Sequence, residues 1–68
     1  MYEIEYKVMK FVFDNKELAS DKVESNLTNF FEKELLYSDA KSRARRIMQT
    51  SLGPIKMASD INKMILTF

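Results

Sequence analysis

Gly53-Pro54 constrains this chain more than any other pair of residues, because it holds the only glycine and the only proline in 68 residues. Gly in the C′ position followed by Pro ends a helix. The segment before it, about 39–52, is therefore predicted to be helical, with Ser38 and Asp39 offering the N-cap. Its buried stripe would be Ala40, Ala44, Ile47, Met48 and Ser51. The two alanines would allow a neighbouring helix to approach closely.

Upstream, Ala19, Val23, Leu27, Phe30, Phe31 and Leu35 recur at helical intervals. They predict a long amphipathic helix over about 16–37, starting either there or only at Asp21. Asp14 with Glu17, and Asp21 with Glu24, both have the spacing of a capping carboxylate and a Glu three residues on. Downstream, Lys56, Ser59, Asp60, Lys63 and Thr67 share one arc of a helical wheel, and Ile55, Ala58, Ile61, Ile65 and Leu66 lie outside it. That pattern predicts a last helix after Pro54.

Residues 2–13 admit two readings. Tyr2, Ile4, Tyr6 and Val8 alternate with Glu3, Glu5 and Lys7, the pattern of a half-buried strand rich in strand formers. As a helix, the same residues place Glu3, Lys7, Lys10 and Asp14 on one polar arc, with Glu3/Lys7 and Lys10/Asp14 as i,i+4 pairs. Composition favours the strand by a narrow margin, although a lone strand finds few partners here; 64–68 is one. The expected fold is mainly α. It is a single small helical domain over 1–68, with about three helices and an N-terminal extended segment that is a strand or a fourth helix.

A core of this size yields only about 3–5 kcal/mol, and small domains usually add disulfides, metals or association. With no Cys and no His, neither a disulfide nor the usual zinc site is open to it. Tight helix packing and homodimerisation remain. No apolar run approaches the roughly 18 residues of a membrane span. Glu3 and Glu5 stand where a signal peptide has a basic start. The expectation is a cytoplasmic, intracellular protein with no membrane partner.

Function is sparsely marked. No histidine, thiol or carboxylate constellation supports acid–base or nucleophilic catalysis, so neither enzymatic activity, nor a cofactor, nor a metal is expected. Charge is the stronger signal. Residues 1–37 hold five lysines against eight acids, and residues 38–68 hold six bases against two acids. That split suits either an internal charge match or two faces for different partners.

Every arginine of the chain falls in one short stretch, Arg43, Arg45 and Arg46, beside Lys41. On a helix the three arginines, Gln49, Ser42 and Thr50 share the face opposite Ala40, Ala44 and Ile47, with Lys41 at its margin. Guanidinium, amide and hydroxyl donors on one face suit phosphate. The leading expectation is a non-enzymatic binding or regulatory module engaging nucleic acid through Lys41, Arg43, Arg45, Arg46 and Gln49. The same face suits an acidic protein surface, and the acids of the preceding helix could also neutralise it as rim ion pairs. A strand entering a DNA groove is disfavoured, since it would present Glu3 and Glu5 to phosphates. The alternative is a small adaptor or inhibitor working only through protein contacts. Its surface, or that of a homodimer, would be the aromatic cluster Tyr2, Tyr6, Phe11 and Phe13.

Overall fold

The computed structural model describes residues 2–66, and side chains from residue 3 onward. It consists of four helices: α1 (Tyr2–Asn15), α2 (Ser20–Lys33), α3 (Ala40–Thr50) and α4 (Pro54–Leu66). There is no strand among the described residues. The protein is a small, mainly α-helical fold, and its helices fall into two compact units. One comprises residues 1–17 and 51–68, and the other residues 18–50.

The N-terminal segment is the helix, not the strand that its composition narrowly favoured. Both i,i+4 pairs form: Lys7 Nζ lies 3.6 Å from Glu3, and Lys10 Nζ 3.4 Å from Asp14. Val8, Val12 and Asn15 are buried at four- and three-residue spacing along one face. A strand here would leave a row of backbone groups unpaired, whereas the helix satisfies them internally. Nor is there a partner strand among the described residues: of the expected partner 64–68, α4 takes up the part as far as Leu66, and residues 67 and 68 lie outside the described residues. The Asp14/Glu17 spacing starts no helix. The chain instead leaves α1 at Asn15, whose side-chain amide donates to the Phe11 carbonyl at 2.8 Å.

α1 packs on α4, which buries Ala58 and Ile61. Grooves between the two are lined by Lys16 with Pro54 and Ile55 at one end and by Ile4 and Glu5 with Ile65 and Leu66 at the other. The pair is thus antiparallel. Gly53 does not close α3 as predicted. α3 ends at Thr50, and Gly53 (φ 91°) is the N-cap of α4, its carbonyl accepting from Met57 N at 3.0 Å. Pro54 follows at N1, where its missing N–H and fixed φ cost nothing. Ser51, expected in the buried stripe of α3, lies beyond its end. Its hydroxyl donates to Asp60 Oδ2 at 2.8 Å, and Lys56 Nζ donates to Oδ1 at 2.6 Å.

In the other unit α2 packs on α3. α2 buries Val23, Leu27 and Phe31; α3 buries Ala40, Ala44 and Ile47. α2 is shorter than its apolar periodicity suggests, because Ala19 is the N-cap and Glu34 the C-cap. No side chain caps its start. Asp21 lies in the first turn, where its charge suits the positive end of the helix dipole, and its Oδ1 accepts from Lys22 N. Leu36 then takes a left-handed conformation, φ 58°, and the Tyr37 N–H returns to the Phe31 carbonyl at 3.1 Å. This reversal brings the Tyr37 ring edge-on to buried Phe31, with centroids 5.8 Å apart at 83°.

Two predictions follow from these local geometries. A left-handed L-residue costs about 1–2 kcal/mol, and the Leu36 side chain is 81% exposed, so its loss forfeits little packing. Leu36→Gly should therefore stabilise the fold by about 0.5–1 kcal/mol after the added unfolded-state entropy of Gly. Thermal denaturation should show Tm rising by about 2–8 °C. The second concerns Asp60, whose carboxyl is held below its ordinary 3.8 by the hydrogen bonds from Lys56 and Ser51. A folded-state value below the unfolded one gives stability that is present above the unfolded value and is lost as pH falls through the folded one. Tm measured against pH should fall below about pH 4, and this acid limb should flatten in Asp60→Asn.

Candidate nucleic-acid interface

α3 is short, and its buried stripe is narrow: Ala40, Ala44 and Ile47 are enclosed, with Met48 beside them half-buried. Every other position must face outward, and the sequence fills most of these with donors. Lys41, Ser42, Arg45, Arg46, Gln49 and Thr50 are all exposed. Lys41, Arg45 and Gln49 follow one another at four-residue spacing, with Ser42 and Arg46 on the adjoining row. No acidic residue occurs between Ala40 and Thr50.

The structure treats the five predicted residues differently. Arg43 turns to the edge of the face, half-buried, and is held within the chain. Its Nε donates to Asp39 Oδ1 at 2.7 Å, and its guanidinium stacks 4.0 Å from the centroid of Tyr37. Asp39 is also the residue before α3, its carbonyl accepting from Arg43 N at 3.1 Å. The Arg43 hydrogen bond, with lesser help from the charges of Arg43 and Arg46, holds the Asp39 carboxyl below its ordinary value. Arg43 is thus already committed to an anion, and Tyr37 covers its guanidinium.

Arg45 approaches Glu24 of α2 at 4.0 Å, the outer limit of an ion pair and worth little in solvent. The side chains of Lys41 and Arg46 make no salt bridge among the described residues. Arg46 is exposed, and its carbonyl accepts from the Thr50 hydroxyl at 3.0 Å. Lys41, Arg45 and Arg46 therefore form a cationic stripe, with Ser42 and Gln49 as neutral donors among the charges.

Pairing α2 with α3 also softens the charge asymmetry of the linear sequence. Residues 18–50 hold six bases and five acids, so the acidic helix and the basic one share a unit. The positive potential belongs to one helix face rather than to half the molecule.

The aromatic cluster divides. Tyr6 and Phe13 are exposed on α1, whereas Phe11 lies half-buried on another side of the same helix; the side chain of Tyr2 is outside the described residues. Met9 is exposed between Tyr6 and Phe13 at helical spacing. Ile55, expected on the apolar side of the last helix, is exposed as well and lies alongside them.

Lys56 and Ser51 converge on Asp60, and the two hydrogen bonds they donate hold its carboxyl below its ordinary value. Among the described residues no group of three or more acidic side chains is placed to hold a metal ion, and no helix is long and apolar enough to cross a membrane. No protein-family model, characterised protein or solved structure matches the chain.

Proposed function

We propose that the protein is a nucleic-acid-binding module whose contact surface is the outer face of α3. The observation that carries this reading is the alignment of Lys41, Arg45 and Arg46 on an acid-free face, with Ser42 and Gln49 between them. Guanidinium groups bind phosphate oxygens through paired N–H donors, and amide and hydroxyl donors fix the register of a backbone.

The face is small, and three phosphate contacts give weak, non-specific binding, at about the 10⁻⁴ M end of the usual range. Arg43 is a reserve contact: bonded to Asp39, it supports the start of α3 and does not face a ligand.

Fluorescence anisotropy with labelled oligonucleotides, titrated against salt, tests the reading. Three contacts predict that log K falls with log salt at a slope of about −2.7 on duplex DNA. Arg45→Glu/Arg46→Glu should remove measurable binding while circular dichroism stays helical. Binding unaffected by that double reversal would overturn the proposal, and tighter binding to polyglutamate than to any oligonucleotide would reassign the face to an acidic protein partner. Asp39→Asn supplies a separate prediction, because Asn remains a good N-cap but no longer pairs with Arg43. The released guanidinium should steepen the slope by about 0.9, which the same titration reads.

A further inference from the structure

α1 carries more apolar surface than its unit covers. On a helical wheel its positions from Phe11 to Tyr6 span about 220° and are apolar but for Asn15 and Glu5, with Lys16 on the same side just past the helix end. About half of that arc, containing Val8, Val12 and Asn15, is buried. The other half is a stripe, Tyr6, Met9 and Phe13, at the three- and four-residue spacing of a helix–helix seam. Its residues are 67%, 53% and 66% exposed, and Ile55 of α4 beside it is 88% exposed. Between Phe13 and Ile55 runs a groove of about 530 Å³, floored by Val12 and Ala58, with Pro54 at its edge.

We infer that this face is a two-fold interface between two copies of the chain, with the α1 helices antiparallel and crossing near Met9 and Lys10. A ridge and a groove on the same face are self-complementary, and a two-fold axis closes such a pair without leaving either exposed. The crossing sets Tyr6 of one copy against Phe13 of the second, where Tyr6 enters the groove that Phe13 shares with Ile55.

Charge selects a second copy over other occupants. Glu5 and Lys16 both lie on the α4 side of α1, each lining a groove against α4 at opposite ends of the helix. Reversing one copy against the other therefore brings Glu5 to Lys16 twice, within about one residue's rise of the register that pairs Tyr6 with Phe13. On the opposite flank, Lys10 and Glu3 are already neutralised within the chain by Asp14 and Lys7. A partner of uniform charge would match only one end of this pattern. A membrane surface would call for a basic rim, which the mixed signs here do not supply.

The area is sufficient. The four exposed side chains present about 500 Å² of apolar surface, on the scale of 150–250 Å² for a whole aromatic residue. Two copies together then bury up to about 1,000 Å², the threshold that a specific interface has to reach. Dimerisation also supplies added stability of the kind that small domains without disulfides or metals draw on.

Sedimentation equilibrium and native mass spectrometry on the full chain test the interface. The expected result is a reversible dimer of twice 8.0 kDa. Tyr6→Glu/Phe13→Glu should weaken it by about thirtyfold or more, with helicity retained because both residues are exposed. Glu5→Lys and Lys16→Glu should each weaken it by about two- to fivefold, and the double variant Glu5→Lys/Lys16→Glu should restore wild-type affinity. A chain that stays monomeric at about millimolar concentration, the weak limit of measurable self-association, would overturn the inference, as would a monomer that binds vesicles of neutral or anionic lipid. So would a dimer indifferent to Tyr6→Glu/Phe13→Glu, or one that the double charge swap fails to restore.

Discussion

The reversal between α2 and α3 depends on one run of contacts. Phe31 is fully enclosed, Tyr37 meets it edge-on, Arg43 stacks on the outer face of Tyr37, and Asp39 holds Arg43 by a 2.7 Å hydrogen bond. An edge-to-face aromatic pair is worth about 0.5–1.5 kcal/mol beyond the area it buries. Here it also places the start of α3. Because Asp39 both precedes the helix and binds Arg43, the first turn of α3 is fixed relative to the end of α2. The rotation of α3 about its axis follows, and with it the choice of which side chains face outward.

That rotation separates arginines that are equivalent in the sequence. A buried stripe of two alanines and one isoleucine leaves a wide outer arc, and Lys41, Arg45 and Arg46 occupy it. Arg43 falls just outside that arc, within reach of Tyr37 and Asp39. One guanidinium is used to build the turn, and the others stay exposed. Bonding and stacking are stronger commitments than a 4.0 Å approach between exposed groups such as Arg45 and Glu24.

In the other unit the constraint is an excess of apolar side chains. α1 meets α4 along one face, and the small residue Ala58 permits close packing there. One partner helix covers only part of an apolar arc as wide as that of α1. Tyr6, Met9, Phe13 and Ile55 are what remains outside. Such a stripe is costly to leave in water, and it is the reason to look for a second molecule on this face.

Periodicity made α2, α3 and α4 legible from their residues alone, because a helix buries side chains every three or four positions whatever it packs against. The clustering of cations on α3 was legible for the same reason. The state of residues 2–13 was not, since Tyr2 to Val8 fits period 2 as well as it fits a helix face, and it is the helix α4 packed across from the segment that decides between them. Gly53 was read as the end of one helix, but it begins the next: a glycine with positive φ serves either end, and the three residues after Thr50 settle which. Leu36 carried no signal, because a left-handed leucine is held by the packing of Tyr37 on Phe31 and by nothing in its own chemistry. The local pattern of residues thus determined which segments are helical and which residue types bear charge. Tertiary structure decided which helices pair, which arginine is consumed in a turn, and which apolar residues are left outside, because each of these depends on what stands across from a side chain rather than on what precedes it.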